Sequence, residues 1–368
     1  MTGNSVYGEL STKLGVKDSE RFLRILEAMF SPEEAAVCRE LFEPATCAQL
    51  AARLQTDEKT VSKMLDKLVS RAILTRGKTQ YAFHTTVLAF HHDTVADVAP
   101  QTGPNAVSKK VKDLWNDFFR NEWSYEFLNN AIKTKERGGR SLTIWPAIGA
   151  LERSPNIRPE DIMPEEDWKL KIQNAKRRIV APCGCRASWG GCNHPVLTCF
   201  AAFDIPRGEY YIKLPDTGLR EFTLAETLDI VHASEEVGLV HWGECYCCSC
   251  ACENLFPVTR AHRFDLMTPN RYLAMVDEDK CKGCQDCVER CPFEAIEMKK
   301  GTSSKRMKAS INAEACKGCG LCIVGCKQNA ITYRIVRPPE YLRPPAPPVG
   351  PSGAPRRIVP VWGRYDLA

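Results

Sequence analysis

One cysteine spacing occurs twice in the chain. Cys281-x2-Cys284-x2-Cys287-x3-Cys291 is echoed by Cys316-x2-Cys319-x2-Cys322-x3-Cys326, so that the CKGC of 281–284 recurs at 316–319, an offset of 35 residues. Thiolates are soft ligands that suit iron–sulfur cores and zinc. Three of them at two-residue gaps let one tight loop meet three corners of a compact core, and a fourth that starts a helix is free to reach another. Each copy is followed by an alanine–isoleucine pair, in EAIEM and NAITY, so the repeat extends beyond the ligands. Nine more cysteines lie upstream: Cys183, Cys185, Cys192 and Cys199, then Cys245, Cys247, Cys248, Cys250 and Cys252, the last five within CYCCSCAC. Of nineteen cysteines, seventeen fall between Cys183 and Cys326. In a large chain that opens without a secretory signal, such crowding argues for metal-bound thiolates over disulfides. The adjacent Cys247 and Cys248 also pair poorly on geometric grounds. Nine thiolates exceed one cubane cluster; they suffice for two clusters with one left over, or for one larger cluster.

The doubled run resembles the ligand pattern of bacterial two-cluster ferredoxins. By that resemblance Cys281, Cys284, Cys287 and Cys326 hold one [4Fe-4S] cluster, while Cys316, Cys319, Cys322 and Cys291 hold the second. Gly283 and Gly318 suit a loop that wraps closely around sulfide. Zinc held by four thiolates is the competing chemistry, and two duplicate x2, x2, x3 runs argue against it. Lys327 stands where the first copy has Pro292, which bears on the local turn and potential of that cluster. Between the copies, KKGTSSKRMKAS crowds Lys299, Lys300, Lys305, Arg306 and Lys308, a solvated hairpin tip or, on the sharper reading, a docking surface for an acidic redox partner.

For the middle cysteines three readings stay open: at least one further [4Fe-4S] cluster, structural zinc, or an active-site cluster or reactive thiol. Cys245, Cys247, Cys248 and Cys250 are the first-choice ligands, with Cys252 or a cysteine of the 183–199 group in exchange. His194 and His241 lie near the thiols in sequence; each is a candidate ligand, though packing or hydrogen bonding is the favoured reading. Arg186 and Lys176-Arg177-Arg178 either offset cluster charge or are solvated. The stretch resembles a family of anaerobic 4Fe-4S binding proteins with an N-terminal winged-helix-like domain, a C-x-C-R motif, G-L-V-H, a C-x-C-C-x-C block and a C-terminal two-cluster ferredoxin. The matching residues are Cys183-Gly-Cys185-Arg186, Gly238-Leu-Val-His241 and Cys245-Tyr-Cys247-Cys248-Ser-Cys250. The resemblance spans most of 30–335 and departs at Ala251, where another cysteine is expected.

These ligands need elements to carry them. At 368 residues and 41.2 kDa, the chain has room for two or three domains, and we expect an α+β multidomain protein. Residues 1–95 read as a winged helix-turn-helix: Asp18 or Ser19, Ser31 before Pro32, Thr46 and Thr56 cap successive helices, and ILTRGKTQYAFH turns at a glycine as a hairpin wing does. Its candidate recognition helix, 57–71, carries Lys59, Lys63, Lys67 and Arg71 at four-residue spacing, yet also Asp57, Glu58 and Asp66. A scaffold or protein-docking role therefore outweighs DNA binding. Residues 96–270 form a cysteine-rich α/β domain. The aromatics of 107–135 recur at helical spacing and read as core, RRIVAP delivers Cys183 and Cys185 as a strand, and 222–237 is a helix. The ferredoxin-like βαββαβ module spans 271–336, and 337–368 is a proline-rich, extended tail.

Net charge is +5 with a pI near 8.3, mild enough to suit an acidic protein as well as nucleic acid. The N-terminus has no basic segment followed by an apolar one, and nowhere do about 18 apolar residues run together; we expect a soluble, cytoplasmic protein without an integral membrane segment. The chain has no GxGxxG fingerprint, no phosphate loop and no nucleophile–histidine constellation. The residues point to an iron–sulfur electron-transfer subunit relaying single electrons within a larger anaerobic oxidoreductase complex, rather than to substrate chemistry of its own. Two alternatives remain: a redox-responsive DNA-binding regulator, and a reductase with a catalytic cluster in the middle domain.

Overall fold

The structure, a computed structural model, describes residues 5–97, 99–100, 102–139, 143–200, 220–302 and 306–342. Short polar side chains start its first helices. Ser5, Ser19, Ser31 and Thr46 each accept a backbone N–H of the first turn, the last two in reciprocal capping boxes with Glu34 and Gln49. They open α1 (Val6–Lys13), α2 (Glu20–Met29), α3 (Pro32–Glu40) and α4 (Cys47–Leu54). α5 (Glu58–Ser70) is capped by Asp57, which accepts from Thr60 N–H at 2.9 Å. The expected cap, Thr56, lies one residue too early. An antiparallel pair, β1 (Thr75–Arg76) and β2 (Tyr81–Ala82), follows, and Ala45 bridges to Tyr81.

α6 (Val87–His92) runs into a π-helical turn, Asp93–Asp97. α7 (Lys109–Phe118) and α8 (Ser124–Glu136) are likewise joined by a π-helical turn, Phe119–Trp123. The aromatics of 107–135 do pack inward: Trp115 is fully buried against Phe22, Phe90 and Phe119. The first apolar core therefore continues through Val111, Trp115, Phe118 and Phe119, beyond the boundary expected near residue 95.

The middle region comprises α9 (Ile148–Glu152), α10 (Trp168–Asn174), β3 (Ile179–Pro182), α11 (Gly184–Trp189), β4 (Leu197–Cys199), β5 (Arg220–Glu221), α12 (Leu224–Glu236), β6 (Val240–Trp242), β7 (Cys245–Cys247) and α13 (Leu255–Arg260). Its strands form an antiparallel sheet of order β5-β3-β4-β7-β6. This sheet brings two distant cysteine groups together, with Cys199 directly opposite Cys245.

The C-terminal module has the expected βαββαβ order: β8 (Tyr272–Val276), α14 (Asp286–Glu289), β9 (Ile296–Lys300), β10 (Met307–Ile311), α15 (Leu321–Val324) and β11 (Ile331–Ile335). β8 pairs with β11 and β9 with β10, both antiparallel. The module is tied to the middle region by backbone and buried side chains. Ala147 N–H donates to Cys319 O at 3.0 Å. Arg290 donates to Glu236 O at 2.7 Å. Glu166 Oε1 accepts from Arg271 at 2.7 Å and from the Tyr272 hydroxyl at 2.6 Å. Among the described residues no helix is long and apolar enough to cross a membrane. The proline-rich tail lies, beyond Leu342, outside the described residues, as does Lys305.

Candidate metal centres

The loop after β8 and the segment after α15 meet. Cys281, Cys284 and Cys287 line one cavity together with Cys326, and Met298, Ala309 and Ile331 form its apolar wall. The mirror arrangement holds for Cys316, Cys319, Cys322 and Cys291, walled by Ala274, Phe293, Ile296 and Ile311. Each cavity thus takes three thiols from one copy of the repeat and the fourth from the other. These thiols stand around a space instead of converging on a point, and among the described residues none of the eight belongs to a group close enough for a single ion. This fits a cubane, in which each thiolate takes a different iron. Burial pushes the Cys287 thiol up to about 11 and Cys322 well above its usual range, so a cationic core is what would hold them as thiolates.

The alanine–isoleucine pair has a physical role. Ala295 N–H donates to Cys291 Sγ, and Ala330 N–H to Cys326 Sγ, each at 3.4 Å. Both donors serve the fourth cysteine of a run, which explains why the repeat extends past the ligands. Gly283 and Gly318 sit at φ +74° and +72°; a Cβ on the first would strike the Met307 carbonyl, and on the second the Asn270 amide and Tyr272 carbonyl oxygens. The two cavities differ in exposure. Cys284 is exposed, whereas Cys316, Cys319 and Cys322 are each only 8% exposed. Lys308 is not merely solvated: its ammonium donates to the Glu278 and Cys281 carbonyls, both at 2.6 Å, clamping the first ligand loop. Lys299 pairs with Glu297 at 2.6 Å.

The middle cysteines do not form one site around CYCCSCAC. Cys183 and Cys185, at the start of α11, meet Cys247 and Cys252: hydrogen bonds link Cys183 to Cys185, Cys185 to Cys252, and Cys252 to Cys247. The four make a chain of contacts and do not converge on a single ion. The hydrogen bond from Cys185, aided by Arg186, outweighs burial and lowers the Cys183 thiol to about 6. Bonds from Cys185 and Cys247 lower Cys252, which also accepts from Leu255 N–H at 3.4 Å. Arg186 is buried, donates to Tyr246 O at 3.0 Å and approaches Cys248 Sγ at 3.7 Å. It faces the thiols, whereas Arg177 pairs with Glu221 at 3.2 Å and Arg178 bonds carbonyls of α10.

Cys248 and Cys250, first-choice partners of Cys247 on sequence, instead join Cys192 and His194, with all four donor atoms within 4.8 Å of one another. Cys245 Sγ lies 3.6 Å from Cys199 Sγ across the sheet. His194 is thus among the thiols, its Nδ1 3.6 Å from Cys250 Sγ. His241 is not: its ring stacks on Tyr246 and packs on Trp168 at centroid distances of 4.9 and 4.8 Å, and burial lowers its pKa to about 3.

Sequence reasoning missed a buried histidine–carboxylate group. His91 Nδ1 lies 2.7 Å and His92 Nε2 3.4 Å from the Glu253 carboxylate, and His92 Nε2 is 3.7 Å from Cys185 Sγ. Burial alone would raise Glu253, but the two histidines outweigh it and hold the carboxyl at about 2. The paired histidines and the glutamate beside Cys252 were the available signal, though only the fold joins residues so far apart.

Residues 280–330 match a family described as a 4Fe-4S dicluster domain. The chain is 39% identical over 49 residues to one subunit of the Na(+)-translocating ferredoxin:NAD(+) oxidoreductase complex of Acetobacterium woodii, covering 13% of this chain and 15% of that protein. It is 50% identical over 30 residues to Ferredoxin-2 of Desulfomicrobium norvegicum, covering 8% of this chain and 51% of that protein. The matches therefore span well under two thirds of either relative. No solved structure matches the chain. With two four-thiol cavities inside the matched segment, the chain is a 4Fe-4S binding protein with a ferredoxin-type domain in its C-terminal region.

Proposed function

We propose that the protein is an electron-transfer subunit with three [4Fe-4S] clusters in series. Cys281, Cys284, Cys287 and Cys326 hold the first, at the surface. Cys316, Cys319, Cys322 and Cys291 hold the second, and Cys183, Cys185, Cys247 and Cys252 the third. When bound, the clusters supply one-electron redox chemistry. The chain's part is to space them, keep water from the inner two and offset the charge of the third through Arg186. One observation carries this reading: a single buried apolar core contains Cys247 and Cys252 together with Cys319, Phe293 and Leu321, with Cys291 packed against it. The ligands of two centres thus share one wall.

The exposed Cys284 favours the first cluster as the point where a partner protein docks, and the resemblance of the ferredoxin segment to a subunit of a multisubunit oxidoreductase supports a place in a larger redox complex. The N-terminal helices and hairpin serve in this reading as a winged-helix-like scaffold. Anaerobic reductive titration followed by EPR tests the series. Stepwise reduction should produce broadened, mutually coupled signals as neighbouring clusters become paramagnetic. Two ferredoxin signals and no third species on full reduction would contradict it.

A further inference from the structure

We propose that Cys192, His194, Cys248 and Cys250 bind one Zn²⁺ ion in a closed four-coordinate site, separate from the iron–sulfur centres. Zinc–sulfur bonds of about 2.3 Å and zinc–nitrogen bonds of about 2.0–2.1 Å make a tetrahedron with edges of about 3.5–3.8 Å. The His194 Nδ1 to Cys250 Sγ distance of 3.6 Å already matches such an edge, and no two of the four donors are more than 4.8 Å apart. The eight thiols of the ferredoxin-type module are arranged differently, standing apart around two cavities.

The donor set is a known structural zinc combination, three thiolates and one imidazole. Its two halves, Cys192-Asn-His194 and Cys248-Ser-Cys250, come from separate segments, so an ion here clips them together. Zn²⁺ with three thiolates leaves one negative charge. Two arginines face it: Arg186 at 3.7 Å from Cys248 Sγ, and Arg120, which donates to Cys250 O at 2.7 Å and stacks on Trp189 at 3.3 Å from the ring centroid. Cys248 directly follows Cys247, and Cys250 lies two residues before Cys252. The ion would therefore fix the turn that carries two ligands of the proposed third cluster, while its own binding does not depend on that cluster.

The test uses full-length protein, purified anaerobically from zinc-supplied medium and passed over a chelating resin. We expect about one zinc per chain, with a zinc-edge X-ray absorption spectrum of three sulfurs and one nitrogen. Cys192→Ser and His194→Ala should each lower zinc at least tenfold, and His194→Cys should retain it. Less than about a tenth of a zinc per wild-type chain, a shell without nitrogen, or a Cys192→Ser protein that loses iron but keeps zinc would overturn the proposal. If the variants fail to fold, the wild-type zinc content and spectrum decide alone. Iron counted in the same samples keeps the two readings apart: about eight irons with one zinc sinks the third cluster and keeps this site, whereas about twelve irons without zinc does the reverse.

Discussion

At the scale of single residues, ligands are held by groups that look incidental in the sequence. The Ala295 and Ala330 amides bond the sulfurs of Cys291 and Cys326, and the glycines of CKGC leave no room for a side chain. Gly318 combines φ +72° with buried neighbours on two sides. Gly318→Ala should therefore cost about 2 kcal/mol or more and remove the second cluster, seen as a loss of about four irons per chain with a lower unfolding temperature. Unchanged iron and stability would contradict this role. The eight ferredoxin cysteines were legible because each set is mostly local in sequence. The middle set was not, because Cys183 and Cys185 meet Cys247 and Cys252 only once β4 pairs with β7. Adjacent side chains on an extended backbone point opposite ways, which explains why Cys247 and Cys248 serve different groups although the sequence suggested one.

At the scale of elements, capping chemistry made most helix starts readable, but the partners of exposed-looking charges were not. The basic row on α5 reads as phosphate contact until Glu34 of α3 is placed beside it. Lys67 lies 2.7 Å and Arg71 3.3 Å from that buried carboxylate, so half of the row is already paired. We predict no specific retention of duplex DNA by oxidised or reduced protein in a salt-dependent shift assay; tight, salt-sensitive binding in one redox state would favour the regulator instead. A second carboxylate joins two elements. Glu235 of α12 accepts from the Ile148 and Gly149 amides that open α9, at 2.7 and 2.8 Å. Burial outweighs these bonds and raises its pKa from 4.5 to about 7. The folded protein thus holds a proton there that the unfolded chain releases, so this contribution is present below pH 4.5 and lost as pH rises through about 7. Its size is at most about 3 kcal/mol. Thermal unfolding between pH 5 and 8 should fall more steeply in the wild type than in Glu235→Gln, and identical slopes would show that Glu235 does not carry the effect.

At the scale of the molecule, the ferredoxin-type module presents one cavity to solvent and presses the other against the middle region, where the apolar core is shared with Cys247 and Cys252. The module was legible from spacing alone. Its docking was not, since Ala147, Arg290 and the Arg271–Glu166 pair carry no periodic or motif signal. Loss of that docking should isolate the inner centres. Arg271→Ala leaves the buried Glu166 without its ion-pair partner, a change worth about 3–5 kcal/mol in buried pairs. It should expose the second cluster to faster bleaching in air, and an unchanged rate would contradict the docked arrangement. The proposed third cluster sits against the ferredoxin pair. Iron and acid-labile sulfide, counted anaerobically in the wild type and in Cys247→Ser, test it most directly. We expect about twelve irons in the wild type and about eight in the variant; about eight in both would rule the third cluster out.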